Sequence, residues 1–188
     1  MKKLAVILSV SVLLAVSSAW GQVRLQNKLE LGTAVSVQSR HEEGYNSTWW
    51  NIPVRVGYFF TNWLEVEPEL ILSKTDYYDD YPNKWSYLLN LNIAAHFRIA
   101  ERAFPFFLAG AGVGNGVPIW GVVYGDSGYH ARVLNFGTGI KYFPVSFVAI
   151  RAEYRFSRFK MTYPVYPDTR EKVSGRMDQI FVGVSILF

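Results

Sequence analysis

The side chains best able to do chemistry in this sequence come at every second position. Glu65, Glu67 and Glu69 form one such run, Arg151, Glu153 and Arg155 another, and Lys28 with Glu30 a shorter one. Charged groups at i and i+2 do not share a helix face, but on an extended strand they project together from one side. Ion pairing across a narrow interior is the chemistry this spacing suits. Acid–base catalysis is served less well by the three histidines. His41 and His130 border polar segments, His41-Glu42-Glu43 reads as solvated, and His96 reads as a hydrogen-bonded filler among alternating polar residues. Cysteine is absent, which excludes a disulfide scaffold, a thiolate-bound zinc and a thiol nucleophile. Gly110, Gly112, Gly114 and Gly116 keep a two-residue spacing inside an apolar run, so they belong to a strand rather than to a phosphate loop opening a helix. Asp76-Tyr77-Tyr78-Asp79-Asp80-Tyr81 is a candidate surface-binding segment, although its aspartates lack calcium-loop spacing. No catalytic residue, metal or cofactor is expected.

These residues lie in eight stretches that alternate apolar with polar, the period of a β-strand. Leu64, Val66, Leu70 and Leu72 oppose the three glutamates. Val148, Ile150, Ala152, Tyr154 and Phe156 oppose Arg151, Glu153 and Arg155, and Ile180, Val182, Val184, Ile186 and Phe188 close the chain. Similar alternation places Arg55 opposite Val54 and Val56, and His96 and Arg98 opposite Ile93 and Phe97. Residues 104–114 and 130–143, the latter carrying Lys141, are glycine-rich versions. Between the stretches, tight turns at Thr61-Asn62, residues 99–103 and Pro144-Val145 alternate with long polar segments at residues 40–47, 74–84, 116–128 and 160–175. Short connections at one end and long ones at the other are the layout of an outer-membrane barrel. Aromatics gather near both sets of connections. Phe59, Phe60, Trp63, Phe104, Phe106, Phe107, Tyr142, Phe143 and Phe147 lie by the short turns, and Trp49, Trp50, Trp85, Tyr87, Tyr129 and Phe159 by the long segments. They read as two interfacial girdles.

Composition agrees with an inverted molecule. Of 188 residues, 50% are hydrophobic, 16% aromatic and only 18% charged, and the mean hydropathy is +0.08. The alternative, a soluble ligand-binding barrel, would turn the apolar face inward. In a bilayer that facing cannot be reversed, because each Arg or Lys turned to the lipid midplane costs roughly 2–4 kcal/mol. The expected fold is therefore all-β, an eight-stranded antiparallel up-and-down transmembrane β-barrel. Its lumen would hold Lys28, Arg55, Arg98, Lys141, Arg151 and Arg155 against Glu30, Glu65, Glu67, Glu69 and Glu153, a net of +1, with His96 beside them. Nearly balanced charges in an interior that side chains can fill predict a structural ion-pair network. A small-solute channel is the alternative.

Ahead of the barrel, Met1-Lys2-Lys3, an uncharged apolar run over residues 4–16 and Ser17-Ser18-Ala19-Trp20-Gly21 form the pattern of a secretory leader. Residues 1–21 are expected to be removed by cleavage after Gly21, or after Ala19, leaving a barrel over residues 22–188. Removal of two lysines lowers the formal charge from +4 to +2, too small to argue for nucleic acid.

Pro105-Phe106-Phe107-Leu108-Ala109-Gly110-Ala111-Gly112-Val113-Gly114, Glu153-Tyr154-Arg155-Phe156 and the terminal strand ending in Phe188 resemble the small OmpA/OmpX-type outer-membrane β-barrels. The resemblance covers the whole chain beyond the leader. It implies the outer membrane of a Gram-negative envelope, both termini in the periplasm, and Phe188 as a membrane-insertion signal read by the barrel-assembly machinery. It also implies a structural or surface-interaction role for a monomer whose partners are outer-membrane lipid and lipopolysaccharide. The sequence departs from full-length OmpA after the last strand, so the peptidoglycan-binding domain of that protein is not expected here. Some barrels of this kind modify lipid A with a Ser–His pair, but Ser157 has no histidine near it in sequence, so an enzyme is not expected. The cations Arg158, Lys160, Arg170, Lys172 and Arg176 are suited to an anionic lipopolysaccharide surface.

Overall fold

The computed structural model describes residues 23–42, 45–75, 84–115, 130–165 and 169–188. Residues 1–21, expected from the sequence to be a leader, lie outside them. Eight strands follow one another: β1 Leu29–Glu42, β2 Tyr45–Phe59, β3 Leu64–Thr75, β4 Lys84–His96, β5 Ala103–Gly114, β6 His130–Val145, β7 Val148–Val165 and β8 Thr169–Leu187. Each pairs antiparallel with its neighbours, and β8 pairs back to β1 to close the barrel. Closure removes every sheet edge over the paired region, which a bilayer demands because lipid offers no hydrogen bonds.

Burial follows the period of two. Leu89, Leu91, Ile93, Ile180, Val182 and Val184 are exposed on the outer wall, while Glu65, Glu67, Glu69, Asn90, Asn92 and Arg155 are buried. Small interior residues make room for the large ones. A Cβ added at Gly57 would lie 2.0 Å from Glu65 Oε1, and one at Gly139 would lie 2.6 Å from the Phe106 ring.

Several connections differ from the sequence reading. Residues 40–42 and 45–47 do not belong to a long loop, because Arg40 pairs with Ser47 and Glu42 with Tyr45, so β1 and β2 run on as a two-stranded arm. Residues 160–165 and 169–175 likewise continue β7 and β8, with Val165 opposite Thr169. Polar residues need no apolar face once a strand has left the lipid, and ladder pairing continues there regardless of hydropathy. At the other end, Pro144 and Val145 belong to β6, and the turn into β7 is Ser146-Phe147. The aromatic girdle by the short turns is also only half external. Phe60, Trp63, Phe107, Phe147 and Phe188 face outward, whereas Phe59, Phe104, Phe106 and Phe143 are buried, as is Phe159 near the far end. Neighbours in sequence alternate faces, so a cluster of aromatics splits between wall and interior.

Candidate functional site

Inward positions along β7 read Ala149, Arg151, Glu153, Arg155, Ser157, Phe159 and Met161, and that order describes the whole lumen. At the short-turn end, Phe59, Phe104, Phe143, Ala149 and Leu187 pack with Val23 and Leu25 into one apolar layer. Toward the long hairpins, Ile71, Leu88, Val133, Phe159, Met161 and Met177 are part of another. The charged residues lie between.

In that middle layer Arg55, Lys141, Arg151 and Arg155 each meet at least two carboxylates. Lys141 Nζ donates to Glu30 at 2.8 Å and to Glu65 at 2.9 Å. Arg151 pairs with Glu67 and, at 2.7 Å, with Glu153. Arg155 reaches Glu69 at 2.5 Å and Glu153 at 2.6 Å. Arg55 Nε donates to Glu69 at 2.6 Å, and its Nη2 lies 3.4 Å from Glu153. Removing ions from water is compensated only when geometry and extra hydrogen bonds are good. Part of that compensation is present, since Asn90 Nδ2 also donates to Glu69 at 2.9 Å and His96 Nε2 lies 2.8 Å from Glu65, while Arg151 Nε and His96 Nδ1 have no hydrogen-bond partner among the described residues. Aromatic faces complete the packing, with Arg151 over Phe106 at 4.5 Å, Arg155 over Phe181 at 4.9 Å and Lys141 over Phe59 at 5.0 Å. Glu30, Glu65 and Glu67 place carboxylate oxygens within 4.8 Å of one another. The Lys141 ammonium joins two of these three.

Two residues assigned to the lumen by alternation are elsewhere. Lys28 and Arg98 are exposed. Lys28 lies in the turn ahead of β1, and β4 ends at His96, so the two-residue period stops before Arg98. Without them the described network holds four fixed cations against five carboxylates, a net of −1 in place of the expected +1. Phe188 is exposed at the end of β8, where its N–H donates to the Leu29 carbonyl at 2.8 Å. The segment Asp76, Tyr77, Tyr78, Asp79, Asp80 and Tyr81 lies outside the described residues. Alternation alone did not single out Phe181 or Asn90, yet both stand on the charged face, and that parity was the available signal.

A second site of charge lies on the outer wall of β6, β7 and β8. Register puts Leu134, Arg158 and Arg176 on one level and Arg132, Lys160 and Ser174 on the next. Arg132, Arg158, Lys160, Lys172 and Arg176 are exposed, and Arg132 is an addition that only the pairing reveals. The Arg170 side chain lies outside the described set. Below the cations the wall is apolar or aromatic, apart from Thr138, whose hydroxyl donates to the Phe106 carbonyl at 3.1 Å, and Asp178, which accepts a hydrogen bond from the Tyr154 hydroxyl.

Residues 4–188 match the outer membrane protein beta-barrel domain family. The chain belongs to that family. This outer-membrane barrel, of OmpA/OmpX type, is similar in fold to Neisserial surface protein A, at TM-score 0.60 and 17% identity over 87% of this chain and 98% of that one. The N-terminal barrel domain of Pseudomonas aeruginosa OprF is similar at TM-score 0.52 and 19% identity, again over 87% and 98%. A transmembrane β-barrel designed de novo aligns at TM-score 0.50 and 9% identity over 87% and 97%. No curated protein matches the outer-membrane barrel's sequence significantly. Resemblance to a designed barrel at 9% identity underlines that alternation, closure and turn placement specify this architecture without a particular sequence.

Proposed function

We propose that this outer-membrane barrel is a closed, non-conducting wall protein with a structural and surface-interaction role, its short turns and both termini in the periplasm and its long hairpins outside the cell. The observation that carries the reading is the cross-paired charge layer held between two apolar layers. An ion moving along the axis would have to break Arg–Glu and Lys–Glu pairs after shedding water at an aromatic layer, and both steps are costly in a low-dielectric interior. Orientation follows the usual asymmetry of periplasmic turns and extracellular hairpins. Planar-bilayer recording of the refolded protein tests the closure. A silent membrane is expected, and steady, large single-channel steps would overturn it in favour of a small-solute channel.

The exposed cations of β6–β8 favour a surface partner, the phosphates of lipopolysaccharide. On β6, β7 and β8 the cations begin ten residues beyond Tyr142, Val148 and Ile186 at the short-turn end of the wall, roughly 25 Å of height for a tilted strand and therefore at the edge of an apolar band ~25 Å tall. Basic groups at that depth sit among lipid headgroups, where guanidinium forks suit phosphate oxygens. The variant R132Q/R158Q/R176Q is expected to retain at least tenfold less bis-phosphorylated lipid A than the parent in detergent. Equal retention by the two, or equal retention of dephosphorylated lipid A by the parent, would exclude a phosphate site.

A further inference from the structure

The short-turn mouth of the barrel is occupied by the chain's own leading segment. Val23 and Leu25 precede β1, yet both are buried, Leu25 to 1% exposure, against Phe59, Phe104, Phe143 and Leu187. Arg24 between them is exposed. The backbone is held as firmly as the side chains. Asn62 Oδ1, in the turn between β2 and β3, accepts hydrogen bonds from the N–H groups of Leu25 at 3.1 Å and Gln26 at 3.0 Å. Asn27 takes up φ 59°, the left-handed region that asparagine tolerates better than most residues. That reversal lets its N–H donate to the Phe59 carbonyl at 2.8 Å and lets the Lys28 N–H donate to Leu25 at 3.0 Å. Asn62 lies 37 and 36 residues from its two donors, so its amide serves a long-range docking contact rather than its own turn. Thr61 fills the local role, its hydroxyl accepting from Leu64 N–H at 3.0 Å.

We propose that residues 23–27 are a tethered stopper: on removal of the leader they lie within a few residues of the new N-terminus, dock into the short-turn mouth and close it to solutes from that side. This rests on the leader reading for residues 1–21. The mouth recognises an apolar-polar-apolar start through two side-chain pockets and one amide acceptor, and Val23-Arg24-Leu25 supplies that pattern. Closure here is separate from the charge layer, because it lies on the periplasmic side of it and uses none of its residues.

The absence of native cysteine permits a clean test. Single-cysteine variants R24C, L25C and A149C are purified as exported protein from outer membranes, checked for folding by heat-modifiable gel migration, and treated with a bulky charged maleimide. The L25C and A149C thiols are expected to react roughly tenfold or more slowly than the R24C thiol, since a buried site reacts only through local opening. Adding Asn62→Ala, or deleting residues 23–26, should accelerate the A149C reaction in a barrel that still migrates as folded. Reaction of L25C as fast as R24C, or an A149C rate unmoved by either change, overturns the stopper. Intact mass of the exported protein separates the two ideas. A cut after Gly21 or Ala19 with fast L25C labelling defeats the stopper alone, whereas a cut beyond Leu25, or none, defeats the leader reading with it.

Discussion

Lys141 is 111 residues from Glu30 and 76 from Glu65 in sequence, and it bonds both. Such a group has no polar alternative once the barrel has closed around it. Substituting one partner of a buried pair leaves the other charge uncompensated, so Lys141→Met is expected to destabilise the folded barrel by about 3–5 kcal/mol. Denaturant titration in lipid vesicles measures it, and a change of a few tenths would mean that water reaches the network. The glycines of this layer are equally constrained. A Cβ at position 139 would lie 2.3 Å from the Ala152 carbonyl oxygen and against the Phe106 ring, so Gly139→Ala should cost roughly 1–3 kcal/mol in the same titration through overpacking. At this scale the sequence displayed the charged residues and their common parity, but not who pairs with whom. Partners are chosen across the lumen, and contact across a lumen depends on barrel diameter and register rather than on local spacing.

Strands carried the clearest signal, because lipid on one side and charge on the other enforce a period of two with little tolerance for error. Val182 shows the strictness. It faces lipid midway along β8 between Arg176 and Phe188, opposite Val35 of β1 at the far end of the closing seam, and Val182→Arg is expected to cost about 2–4 kcal/mol, with a smaller penalty for Arg nearer either interface. A penalty independent of depth would argue against a lipid-facing wall. Strand ends were the weak point. Residues 40–47 and 160–175 are polar and look like loops, yet their described parts, residues 40–42 with 45–47 and 160–165 with 169–175, pair as hairpin arms. Beyond the membrane the pattern that identifies a strand has no cause, while the backbone ladder still has one. Where alternation stops also decided the fates of Lys28 and Arg98, which a mechanical extension of the period had carried into the lumen.

For the molecule as a whole, closure by β1 and β8 makes stability a property of the complete ring, so the barrel should resist detergent until heated. Unheated and boiled samples are expected to migrate differently on a detergent gel, and a protein that remains soluble and monomeric without detergent would overturn the membrane reading. The amino-acid sequence by itself determined the all-β architecture, the strand count, the facing of each strand in its membrane-embedded part and the inward location of most charges. All of these follow from one local rule, that a strand between lipid and a narrow interior must alternate. Only the tertiary structure decided the ion-pair partners, the apolar layers above and below them, the joining of Arg132 to the cationic face and the docking of Val23 and Leu25 beneath Phe59. Each of these needs residues from distant strands to meet at one height, and height is set by register and shear around a closed ring, which no single segment of sequence records.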